Sequence, residues 1–288
     1  MLDEPLVKIE NLRVEFDTND GLVVGVEDVS FEIGAGETVC VVGESGSGKS
    51  MTGRAILRLI RKPGIVEADH ISLEGRNLLD LTEPQMREVR GQKISMVMQD
   101  PKFSLNPVMT VGDQIMEAYL LHTKTSKAEA RAKSIAMLTA VSIRDPDRVM
   151  RAYPHEVSGG MGQRIMIAMM LIPNPQILIA DEPTSALDVS VQRQVLDIMD
   201  GLVTDRGMGL IFISHDLNLV SEFCDRVLIM YAGRIVEVCD ADKLHAAQHP
   251  YTTGLLNSLP RLDQPRKHLE VLKRDASWAT EAGVRGDQ

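Results

Sequence analysis

The chain has 288 residues, with 41 acidic against 31 basic side chains, a formal charge of −10, 44% apolar residues and 3% aromatics. The apolar share is enough for a core and excludes a disordered chain, and the acidic balance argues against a surface built to neutralise nucleic-acid phosphates. The longest strongly apolar run, Ile165 to Ile172, falls short of the roughly 20 residues of a bilayer-spanning helix, and the acidic, proline-broken opening Met1-Leu2-Asp3-Glu4-Pro5 carries no secretory signal pattern. Cys40, Cys224 and Cys239 lack metal-ligand spacing and suit packing positions in a reducing compartment.

Leu6 to Phe16 and Leu22 to Ile33 alternate and are rich in valine, with the hairpin signal Asn19-Asp20-Gly21 between them, so the chain is predicted to open with antiparallel strands. Thr38-Val39-Cys40-Val41-Val42 predicts a buried strand, and Met51 to Ile60 a helix closed by Pro63-Gly64. Between them Gly43-Glu44-Ser45-Gly46-Ser47-Gly48-Lys49-Ser50 fits G-x-x-x-x-G-K-[ST] in full. In this setting the glycines let successive N–H groups turn inward as an anion cradle, Lys49 reaches the β- and γ-phosphates, and the Ser50 hydroxyl suits Mg²⁺. A nucleoside triphosphate is the implied ligand; a glycine-rich turn with a surface lysine is the plain alternative.

Short strands follow at Ile71 to Leu73 and Ile94 to Met98. From Pro101 to Pro173 the pattern turns helical, at Val111 to Leu121, Lys127 to Val141 and Gly162 to Ile172, with no convincing strand. Met161, Met166, Met169 and Met170 within this insertion read as core fillers. Val157-Ser158-Gly159-Gly160-Met161-Gly162-Gln163-Arg164 is a second glycine-dense turn opening a helix, where a hydroxyl and backbone N–H groups could again hold phosphate.

Strand Ile177 to Ala180, helix Val189 to Val203, strand Leu210 to Ile213, helix Leu217 to Phe223 and strand Arg226 to Met230 then alternate, which predicts a mostly parallel sheet with right-handed crossovers. The first of these strands ends in Asp181-Glu182, at the edge a parallel sheet presents to ligand. Asp181 is placed to hold Mg²⁺ and Glu182 to polarise the water attacking a γ-phosphorus, although alone the pair is an ordinary strand end. Tyr251 to Ser258 predicts a helix, and Arg261 to Gln288 an extended or partly disordered appendix.

In this order the motifs resemble those of the ATP-binding-cassette (ABC) ATPases over most of the chain. The family's Leu-Ser-Gly-Gly-Gln signature stands here as Val157-Ser158-Gly159-Gly160-Met161, which loses one amide and keeps Ser158, Gly159 and Gly160 to face phosphate. The resemblance implies an α/β fold: a P-loop (RecA-like), mostly parallel sheet core with an N-terminal antiparallel β subdomain and an inserted α-helical subdomain. The nucleotide-binding domain would cover residues 1–248, its helical part lying near 101–173. ATP and Mg²⁺ are the implied cofactors. The active unit would be a head-to-tail dimer in which Ser158, Gly159 and Gly160 of one subunit close over ATP held by Gly43 to Met51 of the other.

Placed singly, Gln99 resembles the Q-loop glutamine that senses Mg²⁺ or attacking water, and His215 the switch histidine at the γ-phosphate. Ser185-Ala186-Leu187-Asp188 resembles the D-loop that crosses to the opposite subunit, and Phe16 the adenine-stacking aromatic. Their plain alternatives are a polar strand end, a helix start, an N-cap and core packing. Catalysis would then rest on Glu182, His215, Gln99 and Lys49, with Ser50, Gln99 and Asp181 at the metal.

Met98-Gln99-Asp100-Pro101, Ser104-Leu105-Asn106-Pro107 and above all His249-Pro250-Tyr251-Thr252 resemble ATPase subunits of oligopeptide, dipeptide and nickel importers, with residues 249–288 as that branch's C-terminal extension. No cysteine follows Cys239, whereas many such subunits continue into a cysteine-rich segment associated with an iron-sulfur cluster. The resemblance implies a peripheral subunit on the cytoplasmic face of the cell (inner) membrane that hydrolyses ATP to power import of peptides or related small solutes. Its partners would be a second cassette, identical or paralogous, two transmembrane permease subunits seated near Gln99 to Met109, and indirectly an extracytoplasmic solute-binding protein, with no nucleic acid. The competing expectations are a soluble ABC ATPase of DNA repair or translation and a nucleotide-binding regulator without hydrolysis, the latter opposed by intact Asp181, Glu182 and His215.

Overall fold

Where a strand is buried on both faces its sequence is continuously apolar, and where one face meets solvent it alternates. Both kinds occur here. The computed structural model describes residues 4–99, 104–185, 187–258, 275–279 and 284–285. The chain divides into two units, the first made of Met1–Gly34, Thr38–Leu79 and Phe212–Gln288, the second of Ala35–Glu37 and Asp80–Ile211.

In the first unit the alternating segments β1 (Val7–Thr18) and β2 (Gly21–Ile33) form the predicted antiparallel hairpin, in register from Val7↔Ile33 to Thr18↔Gly21. Val7, Ile9, Leu12 and Val14 take its buried face. Next, β3 (Thr38–Val42) has all five residues buried and leads into α1 (Lys49–Ile56). The chain then returns to β1 with β4 (Gly64–Glu67) and β5 (His70–Leu73), both antiparallel to it, and β6 (Arg76–Asn77) pairs with β5. Neither β4 nor β6 was expected: β4 starts at the glycine of the Pro63-Gly64 stop signal, and β6 has only two residues.

In the second unit Thr82 and Gln85 form a capping box that starts α2 (Glu83–Val89), and β7 (Ile94–Val97) follows. The three helices predicted in this stretch are present as α3 (Val111–Leu120) and α4 (Lys127–Ala140), started by Thr110 and Ser126 accepting Asp113 and Glu129 N–H groups, and α6 (Gly159–Leu171); the short α5 (Pro146–Val149) between them was not expected. Ile115, Ala130, Leu138, Ile165 and Ile167 are fully buried. Of the four methionines read as core fillers only Met166 is fully buried, and the others are half-exposed. Strand β8 (Ile177–Asp181) is buried throughout and parallel to β7, from Ile94↔Ile177 to Val97↔Ala180. Helix α7 (Val189–Arg206) ends at Gly207, left-handed at φ 61°, and β9 (Gly209–Ser214) begins in this unit and ends in the first.

The first unit resumes with α8 (Leu217–Phe223), whose Phe223 meets Phe212 edge to face at 5.0 Å, and β10 (Arg226–Tyr231), parallel to β3 from Arg226↔Val39 to Ile229↔Val42. Asp225 fixes their start, accepting the Thr38 N–H at 2.7 Å and returning its own N–H to the Thr38 carbonyl. Cys40 and Cys224, distant in sequence, meet here, and burial, then the neighbouring Cys224 thiol, push the Cys40 pKa well above the ordinary thiol value. Strand β11 (Arg234–Asp240) pairs antiparallel with β10 through Ala232-Gly233, both at positive φ.

A 3₁₀ turn (Ala241–Ala246) and α9 (Pro250–Ser258) follow. The expected appendix from Arg261 falls mostly outside the described residues, which include two short pieces of it. Asp275 caps a 3₁₀ turn, Ala276–Ala279, that buries Trp278, and β12 (Val284–Arg285) pairs parallel with β11. Ile115→Ala should destabilise the protein by about 2–5 kcal/mol, read from the midpoint of urea unfolding, because it deletes a fully buried side chain of α3 and leaves a cavity.

Candidate functional site

The loop between β3 and α1 is shaped from outside by backbone. Gly43 has φ 154°, and a Cβ there would overlap the Met230 carbonyl oxygen; Gly48 has φ 104°, and a Cβ there would lie 2.7 Å from the Gly25 carbonyl oxygen. Gly233 braces it further, donating its N–H to the Ser47 carbonyl at 3.0 Å and accepting from Glu27 at 2.8 Å. Within the loop Lys49 is 5% exposed, and its Nζ donates to the carbonyls of Gly43 and Glu44 at 2.8 Å each.

Donors remain. The Ser45, Gly46 and Gly48 N–H groups find no acceptor among the described residues, and the buried Ser47 hydroxyl has no partner. An unmatched buried polar group costs about 1–3 kcal/mol, so a cluster of them beside a lysine fits a polyanion such as a triphosphate. Phe16 is half-buried beside Gly64 and Gly25, and Met51 also reaches Gly25, so ring and thioether border the same backbone that touches Gly48. His215, at the end of β9 in this unit, is exposed.

Sequence reasoning missed one residue of this loop's surroundings. The Tyr251 hydroxyl accepts the Glu44 N–H at 3.0 Å, across 207 positions of chain. His249-Pro250-Tyr251-Thr252 stood out in the sequence as a mark of descent, but nothing there pointed to the loop.

The second unit holds the carboxylates. Asp181 closes β8 at 2% exposure. Glu182 has φ 46°, a left-handed conformation costly to a residue with a Cβ, and its carbonyl accepts the Ser185 N–H at 3.3 Å and hydroxyl at 3.2 Å. Gln99, just past β7, donates Nε2–H to Glu182 Oε2 at 2.9 Å. Two residues selected separately from the sequence are thus joined. With its nitrogen turned to Glu182, Gln99 keeps an oxygen for other use. That oxygen and the Asp181 carboxylate are hard donors of the kind Mg²⁺ takes. Among the described residues no cluster of three or more His, Cys, Asp or Glu side chains could hold a metal, so a cation here would draw further ligands from phosphate and water.

Ser158 caps α6, its hydroxyl accepting the Met161 N–H at 3.4 Å and its carbonyl the Gly162 N–H at 2.8 Å. Ser158 and Gly159 are exposed, and a Cβ on Gly159 would meet open space. Gly160 lies against Val191, where a Cβ would come within 2.7 Å, so the starts of α6 and α7 sit side by side. Asp188 caps α7, accepting from Ser190 N–H at 3.1 Å, Val191 N–H at 3.0 Å and the Ser190 hydroxyl at 2.7 Å. These bonds, the Ser190 hydroxyl first, hold its carboxyl below the ordinary value. Its expected neighbour Ala186, and Asp100 to Phe103 of the expected permease-docking segment, lie outside the described residues.

Comparison with known proteins bears on these two sets of residues. A family model described as ABC transporter matches residues 26–185, more than half of the chain, and includes the phosphate loop, the Ser158 turn and Asp181-Glu182. The chain belongs to the ABC transporter family. A second model, oligopeptide/dipeptide transporter C-terminal region, matches residues 236–284 of this ABC protein. It is 48% identical over 261 residues to the oligopeptide transport ATP-binding protein OppD of Escherichia coli (strain K12), covering 90% of this chain and 77% of that one. It is 46% identical over 269 residues to OppD of Haemophilus influenzae, covering 93% and 83%. Among solved structures it resembles the dimeric ATP-binding cassette MJ0796 in a post-hydrolysis state bound to ADP and Pi, with TM-score 0.73 at 26% identity, covering 82% of this chain and 98% of that one. The expected fold class stands.

Two measurements follow from this geometry. Gly43→Ala should weaken binding of a fluorescent ATP analogue roughly tenfold or more, since strain and overlap each exceed about 1 kcal/mol. For Asp188, the folded state stays ionised where the unfolded chain already takes up a proton. Its stabilisation is therefore complete above the ordinary value of about 3.9 and is lost as pH falls through the lower folded value. The difference in melting temperature between wild type and Asp188→Asn should shrink from pH 6 to pH 3.

Proposed function

We propose that this ABC protein is the ATP-hydrolysing subunit of an importer of peptides or related small solutes. The observation that carries the enzymatic part is Glu182, the residue after buried Asp181, held in a strained backbone and hydrogen-bonded by Gln99. A carboxylate so fixed is preorganised to take a proton from attacking water, and its N–H···O bond gives Gln99 a direct way to register what occupies the edge. The loop N–H groups of Ser45, Gly46 and Gly48, the Ser47 hydroxyl and Lys49 bind the phosphates, and Phe16 stacks on adenine. Ser50 in the first unit and Gln99 and Asp181 in the second are the residues that would hold Mg²⁺, which would supply charge neutralisation for the phosphates. His215 contacts the γ-phosphate, and Ser158, Gly159 and Gly160 complete the site of a second cassette, identical or paralogous, for which the exposure of Ser158 and Gly159 suits them.

Import of peptides is supported by the names of the relatives and by the C-terminal family match. Those names favour it over a soluble role in DNA repair or translation. No helix among the described residues is long and apolar enough to cross a membrane. In this reading the subunit is held at the cytoplasmic face of the inner membrane by two permease subunits, with a solute-binding protein acting through them, and ATP-driven closure of the two cassettes turns the permeases from inward- to outward-facing.

Glu182→Gln should still bind ATP and accumulate as a closed dimer on gel filtration, with hydrolysis reduced by about 10²–10⁴. Undiminished phosphate release would remove Glu182 from this role. Lys49→Ala should lose ATP binding itself.

A further inference from the structure

We propose that Tyr251 is a positioning residue of the phosphate loop and that it makes the C-terminal segment responsive to nucleotide; the proposal rests on the reading that ATP binds that loop. The loop's first segment is gripped from two sides. Inside, Lys49 Nζ holds the Gly43 and Glu44 carbonyls; outside, the Tyr251 hydroxyl holds the Glu44 N–H. A lysine drawn to phosphate relaxes the inner grip, and the outer one then fixes where Gly43 and Glu44 stay. A phenylalanine would fill the same space but leave that N–H without its acceptor.

Tyr251 is itself rigidly set. It is fully buried at the start of α9, its N–H donates to His249 Nδ1 at 3.2 Å, and Glu237 of β11 accepts the N–H groups of Gln248 at 2.7 Å and His249 at 3.2 Å. Its ring centroid lies 4.6 Å from that of Tyr231 and 6.0 Å from that of Trp278, and Trp278 stands edge-on to Tyr231 at 5.9 Å. Tyr231 follows Met230, whose carbonyl bounds Gly43. The aromatic cluster therefore meets the loop at two points, one through backbone and one through a hydroxyl. It includes the single tryptophan of the chain, so loop movement passed through Tyr251 reaches an indole that has no counterpart elsewhere in the sequence.

The test uses the full chain and a non-hydrolysable ATP analogue with Mg²⁺, with occupancy measured by equilibrium dialysis and Trp278 emission recorded in parallel. Wild-type emission should change in step with occupancy. Tyr251→Phe should still bind, with Kd for the analogue raised about fivefold, the worth of one net hydrogen bond, kcat in a separate turnover assay with ATP within about twofold, and the emission change gone. Tyr231→Phe, which loses a hydroxyl from the same cluster, should keep the emission change. An emission change retained in Tyr251→Phe, or none in a wild type that binds, overturns the proposal; a wild type that binds no nucleotide overturns the functional reading with it. Should Tyr251→Phe fail to fold, hydrogen exchange of the wild type decides. The Glu44 amide should stay protected with and without nucleotide, and rapid exchange there counts against the latch.

Discussion

A buried ammonium set against two backbone carbonyls is the interaction on which the phosphate loop depends. Lys49 supplies the charge that makes an anion welcome, and by holding Gly43 and Glu44 it keeps the chain folded back so that later N–H groups face inward. Those unmatched donors are a standing cost, tolerable because the Met230 and Gly25 carbonyls and the Gly233 N–H hold the loop from outside. The site is thus preorganised in the electrostatic sense: its dipoles are oriented before charge arrives.

The carboxylate edge follows a different logic. Asp181 is placed by a strand buried on both faces, so its position is a by-product of packing. Glu182 is not: its backbone is strained, and the Ser185 turn and Gln99 hold it there. Strain of this sort is retained where direction matters more than stability.

Much of this was legible in the sequence, for a physical reason: the phosphate loop, its strand and Asp181-Glu182 are local patterns, each specified by neighbours within a few residues. The bond between Gln99 and Glu182 spans 83 positions, and the strand-end pattern that singled out Glu182 and the family resemblance that singled out Gln99 do not show that they touch. Tyr251 was beyond reach in the same way, since no local pattern couples a helix start to a loop 207 residues earlier. β11 escaped because Ala232-Gly233 is a weaker turn signal than Asn-Gly, although its left-handed φ values do the same work. Trp278 sits in a polar stretch without periodicity, so only its ring contacts reveal that it is buried.

Ser158 and Gly159 lie bare at the surface beside the capped start of α7. In the proposed cycle a surface of that kind serves another copy and is idle in its own. Turnover then becomes a matter of encounter, rare in dilute solution and frequent once two cassettes are tethered to one membrane complex, where effective concentration rises without any new contact being made.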